Sequence, residues 1–429
     1  MKTIIQSVKG ARDFYPREMA ILAWLYDTAR EVSESFGYQE FDGPFLETIE
    51  LYAAKSGEEL VKEQSFVFSD RGGNLITLRP ELTPTLVRMV AQRQRQLNYP
   101  LRWWSFGPFW RYERPQKGRS REFFQWNIDL IGVNSPEGDA ELAAIIALFF
   151  QKTGLSPEQV TILINNRRLM DNELNKLMVS KSDHQKIFQL IDRRAKMGSA
   201  DWEQYAIEVG LNSKQLEGLY TLLSDNELWK NSHELVRFFS AIDSLGFSEY
   251  VRYAPNVIRG LDYYTGTVFE AQDLKGVVKR AILGGGRYDN LMEDVGGAPL
   301  PGVGFAMGDM VISLILEKFD LLPEGLGKSP AQVLVTVFGD EQLNASLSLA
   351  AELRVYGIRV DCYPEAAKLG KQFKYADRIN VDFVIVQGPD EISNSEVTLK
   401  HLKTGEQKTI ARSEIEPYIR QALDADESS

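Results

Sequence analysis

Cysteine and histidine are both scarce in this chain of 429 residues. It contains one cysteine, Cys362, and three scattered histidines. A single cysteine excludes an internal disulfide framework, and so few Cys and His residues argue against a zinc site. Long apolar runs are missing as well. No stretch approaches the ~18 residues of a membrane helix, and the first residues, MKTIIQSVKGARDFYP, lack the apolar block of a signal peptide. We therefore expect a cytoplasmic protein that is not held in a membrane.

Positive charge is also in the minority, because 49 Lys and Arg stand against 60 Asp and Glu for a net charge of -11. It is nevertheless concentrated in residues 109–129, FWRYERPQKGRSREFFQWNID, where five cations alternate with aromatic residues. Arginine binds phosphate oxygens through a planar charged fork, and aromatic faces stack on bases or guanidinium groups. A local basic stripe matters more for nucleic-acid binding than the total charge, so the acidic balance does not exclude such a partner.

The same stretch is predicted to form a strand, a polar turn and a returning strand. Alternate residues of a strand share a face, so Arg111 with Glu113, and Gln125 with Asp129, could each share one. Such a face would offer a cation, carboxylates and an amide, which suit a zwitterionic or phosphorylated small molecule. The alternative is a solvated hairpin with surface salt bridges, and composition alone does not decide between them.

The chain length predicts two or three domains. Strands and helices mix along residues 1–325, which we expect to form one domain, interrupted at about 167–248 by a helical insertion. A Gly- and Pro-rich linker, LLPEGLGKSPA, follows. Strands then alternate with helices over 331–425, which predicts a small, mostly parallel α/β domain. The tail, 426–429, is expected to be disordered.

Two further segments carry chemistry-bearing residues. RGLDYYTGTVFEA places Arg259 and Asp262 just before Tyr263 and Tyr264, and AILGGGRYDNL places three consecutive glycines before Arg287. Consecutive glycines weaken a strand unless the backbone bends there or a ligand approaches closely. A plain turn explains such a glycine run more often than a binding site does.

Considered together, these segments resemble the histidyl-tRNA synthetases, which are class II aminoacyl-tRNA synthetases. The resemblance covers nearly the full length and is carried by KGARDFYP, GYQEFDGPFLETIELY, TLRPELTPTLVR, FWRYERPQKGRSREFFQWNIDLIG, RGLDYYTGTVFE, GGGRYD and KQFKYADRINVDFVIVQG. It implies an α+β catalytic domain with an antiparallel sheet flanked by helices, a helical insertion, and a C-terminal α/β anticodon-binding domain.

The resemblance also implies the reaction. ATP and L-histidine would form histidyl-adenylate, and the histidyl group would pass to the 3' end of tRNA(His). Mg²⁺ would bridge the phosphates of ATP without a dedicated protein site. Arg111 and Arg259 match the two arginines that grip the α-phosphate and the carboxylate, so both are expected to be catalytic.

Binding roles follow in the same way. The resemblance assigns histidine binding to Glu81, Leu82, Thr83, Gln125, Asp129, Arg259, Tyr263 and Tyr264. ATP binding is expected at Arg111, Glu113, Arg119, Phe123 and Arg287. Contacts with tRNA are expected at Gln116, Lys117, Arg121, Lys368, Lys371 and Lys374. The last three recur at every third residue of a predicted helix, where phosphate contacts would add salt-dependent affinity, and the alternative for them is a solvated helix face.

The chain departs from the family at one place. The third class motif usually closes with an arginine that contacts the ATP phosphates, whereas this chain reads GFAMGDMVISLI, with Asp309, Met310 and Val311 there. Either another cation, Arg119 or Arg287, covers the phosphate, or ATP is held differently.

Two non-catalytic alternatives remain open at this point. The first is a silent paralogue acting as the histidine-sensing regulatory subunit of ATP phosphoribosyltransferase. Such subunits generally lack the anticodon domain and have a degraded RGLDYY segment, whereas this chain retains both. The second is an RNA-sensing module like that of some stress kinases, although no kinase motif is present. The family uses the segment around Gly43-Pro44 at a dimer interface, which predicts a homodimer.

Overall fold

The computed structural model describes residues 4–53, 64–194, 197–258 and 263–427. The chain divides into two compact units, Met1–Glu324 and Gly325–Ser429. Each unit has a sheet and a hydrophobic core of its own. The two units are therefore described separately.

Strands and helices alternate in blocks along the chain. The strands are β1 (Gln39–Glu40), β2 (Leu46–Thr48), β3 (Phe66–Ser69), β4 (Leu75–Leu78), β5 (Leu101–Trp110), β6 (Glu122–Ile131), β7 (Val160–Asn166), β8 (Val251–Tyr253), β9 (Thr267–Asp273), β10 (Leu283–Tyr288), β11 (Gly302–Gly308), β12 (Val333–Val335), β13 (Val360–Cys362), β14 (Phe383–Val386), β15 (Glu396–His401) and β16 (Gln407–Ala411). The α-helices are α1 (Pro16–Ser35), α2 (Ile49–Ala53), α3 (Thr83–Arg93), α4 (Pro136–Lys152), α5 (Arg167–Lys176), α6 (His184–Arg193), α7 (Ser199–Glu208), α8 (Ser213–Ser224), α9 (His233–Ser244), α10 (Leu291–Asp294), α11 (Asp309–Lys318), α12 (Leu343–Val355), α13 (Leu369–Ile379), α14 (Pro389–Asn394) and α15 (Ile415–Glu427).

The first unit is built on a sheet that, within the described residues, has eight strands in the order β1-β5-β6-β11-β10-β9-β7-β8. All of its pairings are antiparallel except β1 with β5 and β7 with β8 at the two edges. A smaller sheet, β2-β4-β3, accompanies it. The antiparallel sheet predicted from the sequence is confirmed, and its central strands β6, β11 and β10 carry the site described below.

Helix α4 lies in the core beneath this sheet. It begins cleanly because Ser135 accepts a hydrogen bond from the backbone N–H of Gly138 at 3.2 Å and Pro136 occupies the first turn. Its sequence is apolar on nearly every side, which is typical of a fully buried helix, and the side chains from Leu142 to Ala147 are completely buried. Helix α1 packs on α4.

The helical insertion predicted at about 167–248 corresponds to helices α5 to α9, which follow β7 and precede β8. Strands β7 and β8 are neighbours in the same sheet, in the register Ile162 to Val251. The chain therefore leaves the sheet, builds a helical layer and returns to the adjacent position. This layer shares the main core through side chains such as Phe188, Trp202 and Phe238.

The second unit has, within its described residues, five strands in the order β13-β12-β14-β15-β16. Its strands β13, β12 and β14 are parallel, as the alternation of strands and helices predicts. The other two pairings, β14 with β15 and β15 with β16, are antiparallel. The expectation of a mostly parallel sheet is thus met over half of the sheet only, because a short loop rather than a helix joins β15 to β16.

Helix α15 ends the described chain at Glu427 and so includes two residues of the tail, 426–429, that we expected to be disordered. The apolar residues Ile415 and Ile419 bury one side of this helix, and the Ala and Glu residues after them are good helix formers. Residues 428 and 429 lie outside the described residues. In the described parts of the chain, no helix is long and apolar enough to cross a membrane.

Candidate active site

Two adjoining pockets open on the central strands of the first unit. The wide pocket has a volume of about 230 Å³, and the narrow pocket has a volume of about 110 Å³. They share the side chains of Arg111 and Gln125 and the small residues Gly284 and Ala306. A ligand that extends across this shared wall would therefore touch both pockets.

One face of β6 forms much of the narrow pocket. Gln125, Asn127 and Asp129 alternate along this strand and line the pocket together, as the strand period of two requires. The carboxamide Oε1 of Gln125 is buried and has no hydrogen-bond partner within the described part of the chain. A buried acceptor without a donor is costly, so this oxygen is suited to receive a hydrogen bond from a bound ligand.

Asp129 is the buried carboxylate of the narrow pocket. Its Oδ1 accepts a hydrogen bond from the hydroxyl of Tyr288 at 2.5 Å. Burial raises the pKa of Asp129 to about 7, and the hydrogen bond from Tyr288 opposes the rise. A positively charged ligand beside this carboxylate would lower the pKa again, so the site favours a cation.

A second carboxylate and two tyrosine rings face the same pocket. The hydroxyl of Tyr263 donates to Oε2 of Glu81 at 3.3 Å. The rings of Tyr263 and Tyr264 lie 4.8 Å apart and are steeply inclined, and Tyr263 also meets Tyr288 edge-on. Leu82 and Thr83, where helix α3 begins, complete this wall. The pocket therefore combines two carboxylates with flat aromatic surfaces.

Glycines in β10 and β11 make the room for these side chains. A Cβ atom at Gly304 would lie 2.1 Å from Oδ1 of Asp129, and one at Gly286 would lie 2.8 Å from the ring of Tyr264. Both contacts are far shorter than side chains tolerate, so neither position accepts another residue without movement. The GGGR run is therefore a close-approach site rather than a plain turn.

The wide pocket is built mainly from the segment that joins β5 to β6. Arg111 donates from Nε to the carbonyl of Pro80 at 2.9 Å, and its guanidinium lies 5.2 Å from the ring centroid of Phe123. Glu113 and Arg119 line the same pocket and form an ion pair with each other. The predicted strand, polar turn and returning strand are present, with Phe109 opposite Phe123 in the antiparallel register.

Asp309 lies at the floor of the wide pocket, where β11 passes into α11. Its Oδ2 is 2.7 Å from Nη2 of Arg12, and its Oδ1 accepts from the backbone N–H of Phe124 at 2.9 Å. Burial raises the pKa of Asp309, and Arg12 and the backbone N–H groups oppose the rise. The acidic residue that stands in the third class motif is thus compensated by a cation from the N-terminal segment.

Arg287, which the sequence offered as an ATP-binding residue, lines neither pocket. Its guanidinium donates to Asp139 at 2.5 Å and to the carbonyls of Val133 and Ser135. Both Arg287 and Asp139 are 3% exposed at the side chain. This arginine ties β10 to the start of α4, and its fork is occupied, so its geometry fits a structural role in place of the predicted contact with ATP.

The residues proposed to contact tRNA lie at exposed positions, with one exception. Gln116 and Lys117 are exposed on the turn before β6. Arg121 is half-buried, and it donates to the carbonyl of Glu113 at 3.1 Å while stacking on the ring of Tyr112. In the second unit, Lys368, Lys371 and Lys374 are all exposed, at the start and along one side of α13.

Some predicted residues cannot be placed, and some pocket residues were not predicted. Arg259, expected to be catalytic, lies outside the described residues. Asn127, Tyr288 and Arg280 line the pockets without having been named from the sequence. The even spacing on β6 could have indicated Asn127, and Tyr288 directly follows the GGGR run. Nothing in the local sequence singles out Arg280.

Comparison with known proteins follows the same division of the chain. The histidyl-tRNA synthetase family pattern matches residues 10–310, and the pattern of the anticodon binding domain matches residues 332–422. The histidine–tRNA ligase of Haloarcula marismortui is 36% identical over 94% of this chain and 95% of its own length. The chloroplastic/mitochondrial histidine–tRNA ligase of Arabidopsis thaliana is 37% identical over 97% of this chain and 87% of its own. The crystal structure of histidyl-tRNA synthetase from a Nostoc species superposes with a TM-score of 0.82 at 26% identity, covering 98% of this chain and 100% of that one.

Proposed function

Because the chain belongs to the histidyl-tRNA synthetase family, we propose that its two pockets hold histidine and ATP for the two steps of histidine–tRNA ligation. The chain is a histidine–tRNA ligase by this membership and carries out aminoacylation of tRNA(His). The placement of each substrate, the dimer and the cytoplasmic location are our proposals. The observation that carries the placement is the shared wall of the two pockets, where Arg111 faces both.

Histidine fits the narrow pocket chemically. Its α-ammonium group would lie against Glu81 and Asp129, with the buried Oε1 of Gln125 as a further acceptor. Its imidazole would lie among the rings of Tyr263 and Tyr264, which offer hydroxyl groups and aromatic faces. The volume of about 110 Å³ suits one amino acid rather than a nucleotide. Leu82 and Thr83 would close the side of the site.

ATP fits the wide pocket. Glu113 and Phe123 would flank the adenine, and the arginines would hold the phosphates. The carboxylate oxygen of histidine attacks the α-phosphorus, the bond from that phosphorus to the bridging oxygen breaks, and pyrophosphate leaves. Negative charge grows on the phosphate oxygens, so positioned cations stabilise the transition state more than the ground state. In the second step the terminal ribose hydroxyl of tRNA attacks the histidyl carbonyl, and AMP leaves.

Arg111 would act where the two substrates meet. Its contact with the carbonyl of Pro80 and its stacking on Phe123 fix the guanidinium before any ligand arrives. A cation fixed in advance needs no reorganisation during the reaction. From its place on the shared wall, Arg111 could bridge the attacking carboxylate and the α-phosphate. Arg259 is proposed as the second arginine on the strength of the family resemblance alone.

Mg²⁺ would enter with ATP. In the described residues, no group of three or more His, Cys, Asp and Glu side chains lies close enough together to hold a metal ion. The two carboxylates of the wide pocket, Glu113 and Asp309, are each paired with an arginine. Phosphate oxygens would therefore supply most of the ligands of the ion, which would neutralise charge on the triphosphate.

The exposed cations are proposed to hold tRNA in two places. Gln116, Lys117 and Arg121 border the wide pocket, where the acceptor end would arrive. In the second unit, which we propose to be the anticodon-binding domain, Lys368, Lys371 and Lys374 would contact phosphates. The first unit, with its helical insertion, would be the catalytic domain.

An apolar surface on the small sheet supports a homodimer. Phe45, Leu46, Val67, Phe68 and Leu75 lie on or beside strands β2, β3 and β4 and are 40–50% exposed. Contiguous apolar surface of this kind marks contact sites on proteins. We propose that a second copy covers it. Leu46→Glu with Phe68→Glu should give a monomer in sedimentation at micromolar concentration, whereas an unchanged mass relative to the parent dimer would remove this surface from the interface.

The reaction is proposed to take place in the cytoplasm, where the free thiol of Cys362 would stay reduced. The regulatory-subunit alternative is not favoured, because the chain matches the anticodon binding domain over residues 332–422 and its relatives are histidine–tRNA ligases.

Histidine-dependent exchange of pyrophosphate into ATP tests the proposed function. The purified protein should catalyse exchange with histidine and not with the other amino acids, and it should then charge tRNA(His). A folded protein that binds histidine but supports no exchange would contradict the proposal.

A further inference from the structure

The third class motif lacks its arginine, and the structure shows what occupies that position. Val311 is buried against the turn before β6. A Cβ atom built on Gly118 would lie 3.5 Å from Cγ2 of Val311 and 3.8 Å from Cγ1 of Val278. Valine 311 therefore packs in an apolar contact and leaves the adjoining floor of the wide pocket without a cation from helix α11.

The segment that meets this contact brings a cation of its own. Val278 lies two residues before Arg280, and Arg280 lines the wide pocket together with Val311 and Asp309. The arginine is half-buried. The position of the missing cation and that of Arg280 thus border the same space, although they belong to different elements.

Arg280 differs from the other arginines around this pocket. Arg119 pairs with Glu113, and Arg12 pairs with Asp309. For Arg280, the part of the chain that the structure describes provides neither an acidic partner nor a hydrogen-bond acceptor. Burial alone lowers the pKa of its guanidinium, which means that the charged form is destabilised until an anion approaches. A partly buried cation in a pocket is expected to have an anionic ligand.

We propose that Arg280 contacts the β- and γ-phosphates of ATP in place of the missing third-motif arginine. The inference rests on the proposed function, since it presumes that the wide pocket holds ATP. It replaces the two candidates that the sequence suggested, because Arg287 is directed to Asp139 and Arg119 is bound to Glu113. Asp309 then has a positioning role, in which its pair with Arg12 keeps its own negative charge from repelling the triphosphate.

The test compares ligands with and without these two phosphates. Arg280→Ala, Arg280→Lys and the control Lys275→Ala are made in the full chain. Lys275 is an exposed cation in the loop that leads to Arg280 and lines neither pocket. Binding of Mg·ATP and of a sulfamoyl analogue of histidyl-adenylate is measured by calorimetry, and pyrophosphate exchange gives the KM values and kcat.

Arg280→Ala should reduce kcat/KM for ATP by about 10²-fold, as expected for the loss of one electrostatic donor. The KM for pyrophosphate should rise with it. The adenylate analogue, which has no β- or γ-phosphate, should bind as it does to the parent protein, and Arg280→Lys should recover part of the loss. Lys275→Ala should behave like the parent.

Three results would overturn the proposal. Exchange by Arg280→Ala within about threefold of the parent would show that the guanidinium does not serve ATP, and slower transfer to tRNA alone would assign it to RNA. Equal loss of ATP and analogue binding would indicate structural damage. If the parent protein itself shows no exchange, the proposed function fails, and this inference fails with it.

Discussion

The narrow and wide pockets share a wall but treat charge in opposite ways. In the narrow pocket, carboxylates meet hydroxyl groups: Asp129 accepts from Tyr288, and Glu81 accepts from Tyr263. In the wide pocket, both carboxylates, Glu113 and Asp309, are paired with arginines, and a further arginine remains.

The difference teaches how one sheet can prepare for two unlike substrates. Burial holds the pKa of Asp129 at about 7, so this side needs a cation to stabilise its negative charge. The other side has its acidic groups neutralised in advance, and its remaining positive charge needs an anion. An amino acid carries the first charge and a triphosphate the second, and Arg111 lies between them.

The shared wall should be the most sensitive point. Arg111→Ala should lower the rate of histidine-dependent pyrophosphate exchange by about 10³-fold, because it removes the cation that faces both substrates. Arg111→Lys should remain strongly impaired, since an ammonium group cannot replace the planar fork. Steady-state exchange kinetics measure both.

Arg114→Ala is the matched control for this change. Arg114 is exposed in the same segment between β5 and β6 and lines neither pocket. Its removal should leave exchange within about twofold of the parent. An Arg111→Ala variant as active as Arg114→Ala would break the comparison at its centre.

A change confined to the narrow pocket should affect histidine alone. Asp129→Asn keeps the shape and an acceptor for Tyr288 but removes the charge, so the Kd for histidine should rise about 10- to 100-fold. The Kd for ATP should change less than threefold. Calorimetric titration with each ligand separately checks this, and parallel weakening of both ligands would mean that the pockets are not independent.

The pair between Arg12 and Asp309 offers the corresponding change on the other side. Arg12→Ala leaves a buried carboxylate uncompensated beside the phosphates, so the Kd for ATP should rise about tenfold while histidine binding stays the same. The unfolding temperature should fall too. Arg17→Ala, which breaks an exposed ion pair with Glu317, is the control and should change neither quantity. Equal ATP affinities in the two variants would contradict the compensating role of Arg12.

The raised pKa of Asp129 should appear in the stability of the ligand-free protein. A folded-state pKa above the unfolded value of about 3.9 means that this group contributes stability at low pH, which is lost as the pH rises through about 7. Asp129→Asn should therefore unfold at a higher temperature than the parent at pH 8, and the difference should shrink towards pH 4. Calorimetric scans across this range test the sign, and a variant that is less stable at pH 8 would refute it.

The smallest effect is expected far from both pockets. Lys374→Ala should weaken tRNA binding by about two- to fivefold and reduce the slope of log affinity against log salt by about one. Pyrophosphate exchange should not change. Lys408→Ala, on strand β16, is the control. If the two variants bind tRNA equally well, the proposed phosphate contacts of α13 lose their support.

Local patterns in the sequence predicted a large part of this arrangement. The fold class, the family and the activity are confirmed by the comparisons, and the two-residue period of β6 correctly placed Gln125 and Asp129 on one face. The residue roles remain proposals. The glycine run suggested close approach, and the structure gives its cause in the ring of Tyr264.

Partners that are distant in sequence could not be predicted. Arg12 and Asp309 are 297 residues apart, and Arg287 and Asp139 are 148 residues apart. Which arginine enters a pocket and which one is consumed by a buried acid depends on these pairings, and they arise only when the strands assemble. Arg287 was therefore named as an ATP ligand, and Arg280 was overlooked.

Separate titrations of histidine and Mg·ATP into Asp129→Asn and Arg280→Ala test the central claim most directly. We predict a crossed pattern, in which Asp129→Asn loses histidine affinity and keeps ATP affinity, while Arg280→Ala loses ATP affinity and keeps histidine affinity. Loss of both ligands in both variants, or of neither, would contradict the assignment of opposite charges to the two pockets.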